Sequence, residues 1–260
     1  MSLPRHSIPV KTADELLRMR AAGRIAAEVM TAVAAEVRPG VTTGALDDLA
    51  YDLIRAAGAE PTFKGYHGFP GSMCISVNEE LIHGIPGRRV INAGDIVSLD
   101  LGVTYAGMIG DLTRTVCVGV VPGDVAALVA TAQAACDAAC AVLRAGVRVG
   151  DLAHAIQTLC EARGYGVVRD FVGHGVGAQL HEPPQIPNYG APGTGPVIPA
   201  GATLAIEPMI TLGDHRIKVL ADKWTVVTRD GLPSAHYENT VLVTATGCEN
   251  LTPCELTPAR

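Results

Sequence analysis

The chain has 260 residues, 48% of them hydrophobic and 18% charged, enough apolar material to fill the core of one large domain or two small ones. Its net charge is −6 from 20 basic and 26 acidic residues, and no basic cluster exceeds the Arg88–Arg89 pair, which argues against nucleic acid as a partner. The Ala-rich run 125–143 carries Gln133 and Asp137 at its middle, the opening MSLPRHSIPVK lacks the apolar core of a signal peptide, and seven cysteines without framework spacing suit a reducing compartment. A cytoplasmic protein without a membrane span is expected.

Thr12 and Glu15 form a capping-box pattern that opens a helix predicted to run to Arg38, where Pro39-Gly40 stops it. A second helix is predicted over 43–57, ended by Gly58. From 72 to 118 the texture changes to short β-branched runs broken by Gly-Ile-Pro-Gly and Asn-Ala-Gly, which read as strands and turns. Helices return over 124–144 and 150–163. They are followed by strand-like runs at 167–174, 202–211, 216–220, 224–228 and 235–244. The segment 183–199, rich in proline and glycine, is expected as a loop. Cys136 and Cys140, four apart on a predicted helix, and Cys248 and Cys254 are expected to pack. Helices then strands, twice, give an α+β class.

That order repeats because parts of the sequence repeat. VINAGDIVSLD at 90–100 returns 107 positions later as VIPAGATLAIE at 197–207, which sets Asp100 on Glu207, and the same shift sets His67 on His174. A shift of 106 sets Gly40, Val41, Gly44, Leu46, Leu53 and Gly58 on Gly146, Val147, Gly150, Leu152, Leu159 and Gly164. A shift of 127 sets Asp111 on Glu238 and implies about 20 extra residues between the second pair of acids. The chain reads as a single catalytic domain over 1–260 with two related halves, about 10–120 and 124–250, each supplying two acids to one site.

The runs IVSLDLGV and GDLTRTVCV flank Tyr105-Ala106-Gly107, and a regular hairpin centred there sets Asp100 directly opposite Asp111 with Cβ atoms about 5 Å apart. Two negative charges at that distance repel by roughly 3 kcal/mol at an effective dielectric near 20. A retained proton or a divalent cation would offset the repulsion. One Asp or Glu on a strand is ordinarily a solvated surface residue. Four carboxylates and an imidazole at matched positions favour instead a pair of divalent ions bridged by carboxylate oxygens, holding a hydroxide nucleophile at neutral pH.

The strings SLDLGV, GDLTRT, GHGVG, IEPM and YENT around Asp100, Asp111, His174, Glu207 and Glu238 resemble the metal-ligand motifs of the type I methionine aminopeptidases. The order Asp, Asp, His, Glu, Glu is shared by the pita-bread hydrolases generally. ISVNEELIHGIPG at 75–87, GYHGFPGSMC at 65–74, LHEPPQIPNY at 180–189 and KWTVVT at 223–228 narrow the resemblance, which covers about 10–252 and fits the short form. It implies an α+β pita-bread fold of two pseudo-symmetric halves, each with helices packed on an antiparallel sheet. The implied activity is removal of the first methionine from nascent polypeptides, met at the ribosome by a monomeric enzyme, when the second residue is small.

By that resemblance Asp100 chelates one metal, His174 and Glu207 the other, and Asp111 and Glu238 bridge both, with Glu207 also managing protons. The ions are two of Co, Mn, Fe or Zn, all of which tolerate this ligand set. His83 and His181 match the family histidines that contact the substrate backbone and stabilise the tetrahedral intermediate. Methionine needs an apolar, polarizable slot, and the resemblance points to Phe63, Tyr66, Phe69, Cys74, Leu180 and Trp224, with His67 beside them as substrate contact or packing. Phe63 stands where some relatives have Cys, Leu180 where some have Phe, and Ala205 where some have Thr, so the slot and the hydrogen bonding near Glu207 are expected to differ in detail. SVNEE resembles a segment whose carbonyls at Asn78 and Glu80, with Ser234, bind a monovalent cation. His6, His154, His215 and His236 read as structural.

Three rivals share features with this reading. A proline-specific peptidase of the same fold uses the same five ligands, but such enzymes carry an additional N-terminal domain, and only about 60 residues precede GYHGFPG here. A non-catalytic pita-bread binding protein is opposed by five intact ligands. A two-metal phosphoesterase needs a cation beside the ligands, for which Arg114 is the only close candidate.

Overall fold

A computed structural model describes residues 7–256; His6 lies outside the described residues. The capping box forms as expected. The Thr12 hydroxyl accepts from the Glu15 N–H, the Glu15 carboxylate accepts from the Thr12 N–H at 2.8 Å, and helix α1 (Ala13–Ala35) follows. It ends at Ala35 with Glu36 as its C-cap, short of the predicted Arg38, which Pro39 disfavours as helical backbone, and Gly40 then turns the chain at φ +90. Helix α2 (Thr43–Ala56) is capped by Thr42.

The strands of the first part are β1 (Glu60–Pro61), β2 (Cys74–Val77), β3 (Glu80–Ile82), β4 (Ile96–Tyr105) and β5 (Met108–Cys117). Helices α3 (Gly123–Val142) and α4 (Val149–Ala162) come next. The second run of strands comprises β6 (Gly166–Val167), β7 (Gly173–Gly175), β8 (Glu182–Ile186), β9 (Thr203–Ile206), β10 (Met209–Thr211), β11 (Ile217–Val219), β12 (Val226–Thr228), β13 (Ser234–His236), β14 (Glu238–Val243) and β15 (Cys248–Asn250).

The main antiparallel sheet runs β1-β4-β5-β14-β9-β7-β8, with β2 also on β4 and β15 also on β14; β13-β10-β6 and β11-β12-β3 form two small sheets. Three predicted strands are interrupted. The 202–211 run breaks at Glu207-Pro208, where proline has no N–H for a ladder. The 167–174 run divides into β6 and β7, and 235–244 divides at Tyr237. The predicted loop 183–199 begins instead as strand β8; Pro183 and Pro184 are tolerated because β8 is the last strand of its sheet.

Strand alternation gives the sheet two distinct faces. Leu99, Leu101 and Val103 on β4 and Leu112 on β5 pack into a core with α1 and α2, while Leu204 and Ile206 on β9 and Val241 and Val243 on β14 pack with α3 and α4. The alternate positions, including Asp100, Asp111, Thr113, Ala205 and Glu238, belong to the other face. Helix α3 is long and apolar enough to cross a bilayer, with mean hydropathy 1.7. Here Val125, Leu128, Ala132, Ala135, Cys136 and Ala139 are buried against the neighbouring helix and sheet, the position of a core helix.

Candidate metal centre

The β4–β5 hairpin closes through a two-residue turn, with Ala106 at φ +48 and Gly107 at φ +76, and pairs Tyr105 with Met108. Positive φ at both central residues matches the twist of the flanking strands and fixes the register. Asp100 is therefore opposite Thr113, and Asp111 is opposite Gly102. The direct Asp100–Asp111 opposition expected from the sequence does not occur, because the turn lies one residue further along. The two acids are diagonal neighbours on one face, still within reach of a shared ion.

Thr113 is the cross-strand partner of Glu238 as well as of Asp100, and its hydroxyl donates to Glu238 Oε2 at 2.9 Å. Asp111 is clamped through its backbone: its N–H donates to Thr240 Oγ1 at 3.0 Å, and that hydroxyl donates back to the Asp111 carbonyl at 2.8 Å. Asn239 pairs with Ile206, so Glu207, the next residue, emerges beside Glu238. His174 on β7 pairs with Ala205, on the same face.

His174 Nδ1 donates to the Gly175 carbonyl at 3.0 Å, which leaves the Nε2 lone pair free. Nε2 is 3.3 Å from Glu207 Oε1 and 4.0 Å from Asp111 Oδ2. One ligand atom from each of Asp111, His174 and Glu238 lies within 4.8 Å of the others, close enough to share one metal ion. Asp111 Oδ1 and Glu238 Oε1 are buried without a hydrogen-bond partner among the described residues. Carboxylate oxygens in that condition are costly unless a cation satisfies them, so the donor set fits a divalent metal.

Protein groups alone push these acids toward the protonated form. Burial, with repulsion from Glu207, pushes Asp100 up to about 8, and burial pushes Glu207 up to about 8. Asp111 and Glu238 rise well above the ordinary carboxylate range, through burial first and then repulsion from the neighbouring acids. Burial lowers His83, His174 and His236 to about 4, so these rings are neutral at pH 7, and burial also lowers His181. Carboxylate oxygens with one neutral imidazole suit a divalent metal; the neighbouring Cys74 thiol is held protonated by burial.

Above the acids opens a cavity of about 410 Å³, and every residue expected at the site lines it. His181 projects over His174, ring centroids 4.3 Å apart, and its Nδ1 is 2.8 Å from the Tyr66 hydroxyl. His67 stands edge-on to Tyr66 at 4.4 Å. His83 is edge-on to Trp224 at 6.2 Å, and Trp224 is edge-on to Phe69 at 5.1 Å. Phe63 fits beside Gly102, where a Cβ would lie 2.6 Å from its ring; with Leu180 and Cys74 it completes an apolar wall. His67 and His83 hold left-handed backbone, at φ +48 and +58, the kind of strain that concentrates at functional sites.

Ile82, Phe171 and Val172 also line the cavity and were not singled out by the sequence, since apolar residues beside strands look like ordinary core. His236, read as structural, lies at the centre with Nε2 3.6 Å from Glu207 Oε2. Arg114 is turned away: its guanidinium donates to the carbonyls of Thr113, Glu238 and Cys254 and to Asn239 Oδ1, and it stacks on Tyr237. No Lys or Arg lines the cavity among the described residues. Asn78 and Ser234 do meet, the Asn78 carbonyl accepting from the Ser234 N–H at 2.9 Å and from its hydroxyl at 3.3 Å.

Buried acids and a neutral imidazole beneath an apolar slot define a metal-dependent hydrolase site, and the model of metallopeptidase family M24 matches residues 17–245: the chain belongs to that family. Within it the similarity is to the methionine aminopeptidases. The methionine aminopeptidase of Clostridium acetobutylicum is 46% identical over 249 residues, spanning 95% of this chain and 100% of the relative. The crystal structure of methionine aminopeptidase from Thermotoga maritima matches with a TM-score of 0.94 at 44% identity, covering 96% of this chain and 100% of that one. The prolidase from Pyrococcus furiosus is more distant, with a TM-score of 0.78 and 25% identity, and covers 95% of this chain but 66% of its own.

Proposed function

We propose that this chain is a metalloexopeptidase that removes the N-terminal methionine of proteins and peptides when the second residue is small. The carrying observation is the set of unpaired buried carboxylate oxygens of Asp111 and Glu238, beside His174 Nε2, at the foot of an apolar cavity. Two divalent cations, from Co, Mn, Fe or Zn, would be held by Asp100 on one side and by His174 and Glu207 on the other, with Asp111 and Glu238 shared. When bound, they supply a hydroxide nucleophile at neutral pH and polarise the scissile carbonyl.

The remaining roles fall to the protein. The slot of Phe63, Phe69, Cys74, Leu180 and Trp224, with Tyr66 and His67 at its side, takes the methionine side chain. Tyr66 fixes the His181 ring, and a Tyr66 hydroxyl donating to Nδ1 leaves the Nε2 proton free to stabilise a developing oxyanion. His83, neutral and lodged against Trp224 and Phe171, contacts the substrate backbone from the opposite wall. Glu207 accepts a proton from the attacking water and returns it to the leaving amine.

The chain acts as one catalytic domain of two related halves. Equivalent bridges, Thr42 to Val90 and Arg148 to Val197, and equivalent turns at Gly40 and Gly146, with φ of +90 and +91, support that reading. The reading extends to a monomer acting on nascent chains at the ribosome in the cytoplasm, a reducing compartment that seven unpaired cysteines suit. The adjacency of Asn78 and Ser234 supports a monovalent cation near that segment.

The test is release of free methionine from a Met-Ala-Ser peptide by protein loaded with Co or Mn, beside an Ala-Pro peptide and a chelated control. Metal-dependent release from the methionine peptide alone is expected. Cleavage of only the proline peptide would overturn the slot assignment, and inactivity on both would overturn the enzyme reading.

A further inference from the structure

His236 is a buried side chain at the centre that the chemistry above leaves unused. It is 2% exposed, and neither ring nitrogen has a hydrogen-bond partner among the described residues. Its backbone is bolted in place: the N–H donates to Thr115 Oγ1 at 3.2 Å, the carbonyl accepts from that hydroxyl at 2.7 Å, and β13 pairs it with Met209 on β10. So held, the ring directs Nε2 toward Glu207 Oε2, 3.6 Å away, while Glu207 Oε1 faces His174 Nε2 at 3.3 Å. Glu207 thus lies between two imidazoles, and its backbone is also held, the carbonyl accepting from Asn188 Nδ2 at 3.1 Å.

A buried imidazole with two idle nitrogens is costly unless a partner engages it in the working state. At 3.6 Å from a carboxylate oxygen, Nε2 is just beyond hydrogen-bond range, and a shift of well under an ångström closes the gap. Carboxylates that ligate metals are themselves oriented by outer hydrogen-bond donors. We propose that His236 is a positioning residue for Glu207: in the metal-loaded protein its Nε2–H donates to Glu207 Oε2 and keeps Oε1 on the His174 side, where a cation is held. This inference rests on the metal reading of the site.

Metal-stripped wild type, His236→Gln and His236→Leu are titrated with Mn by calorimetry and with Co by visible absorption. Glutamine keeps an N–H donor; leucine fills the space without one. The leucine variant should bind Mn about 10- to 100-fold more weakly and show an altered Co spectrum, while the glutamine variant stays close to wild type. Wild-type affinity and spectrum in the leucine variant overturn the proposal, as does a glutamine variant that loses as much as leucine. Wild type that takes up neither Mn nor Co overturns the metal reading itself and this inference with it. Should the leucine variant not fold, wild-type protein decides by imidazole proton–nitrogen correlation spectra before and after zinc loading. A hydrogen-bonded Nε2–H on His236 that forms with zinc is expected, and ring resonances unmoved by zinc overturn the assignment.

Discussion

Asp100 and Asp111 stand on neighbouring strands joined by a two-residue turn, whereas Glu207, the residue just past β9, and Glu238, the first residue of β14, are joined by the excursion 208–237. Both pairs reach the same face of one sheet. The first is placed by hairpin geometry, with Ala106 and Gly107 fixing every cross-strand partner from Tyr105 to Ile96. The second is placed from both sides, because Asn239 pairs with Leu112 on one neighbour and Ile206 on the other. The excursion also forms β10 to β13, carries Trp224 into the cavity and sets His236 beside Glu207. A metal site therefore needs only a face and a register from each pair; the excursion adds Trp224 to a cavity wall whose other apolar residues, Phe63, Phe69, Cys74 and Leu180, come from outside it.

If the two pairs are equivalent as ligands, the largest losses should come from either. Asp111→Asn and Glu238→Gln should each lower turnover by more than the about 100-fold that loss of an outer-shell partner can cost. Melting of the metal-free protein should be unharmed, because a buried, repelled acid has been neutralised. A large loss in only one of them would break the equivalence. Trp224→Ala, on the excursion, should lower kcat/KM for methionine peptides by about 10- to 100-fold, since apolar slot contacts discriminate by roughly 1–3 kcal/mol. Its metal content should stay the same, and a variant that loses metal instead would place Trp224 in the scaffold of the centre.

Proton binding offers a third and smaller effect. Asp100 and Glu207 rise to about 8 in the folded, metal-free protein, so between their ordinary values and about 8 the folded state binds more protons and stability falls as pH rises. His83, His174 and His236 act in the opposite sense, since their values of about 4 let the unfolded state bind more protons up to the ordinary imidazole value, 6.5. Of these two effects the carboxyl one prevails between 6.5 and about 8, where the imidazole effect fades. The metal-free melting temperature should fall across that window while Mn affinity rises, because the ligands must release protons to bind. Thermal melts and calorimetry at the two ends of the window check both slopes. The smallest change is Gly107→Ala, where a side chain at φ +76 should cost about 1 kcal/mol in denaturant unfolding with activity retained.

Much of the centre was legible because repetition and strand texture record it. The matched offsets singled out Asp100, Asp111, Glu207, Glu238 and His174, and the longer third offset announced the excursion. The hairpin register was misread, since Tyr105-Ala106-Gly107 leaves the turn's centre ambiguous by one residue until the backbone of Ala106 and Gly107 is seen. Strand β8 was hidden by prolines that an edge strand tolerates. His236 was missed because a single histidine near a strand carries no partner in its own sequence neighbourhood; Glu207 reaches it only across the fold.

The most direct test of the centre is anomalous diffraction from crystals of the Mn-loaded protein. Two peaks among Asp100, Asp111, His174, Glu207 and Glu238, at the foot of the cavity that holds Trp224 and Phe63, are the expected result. No ordered Mn at those side chains, or Mn bound only elsewhere, would contradict it.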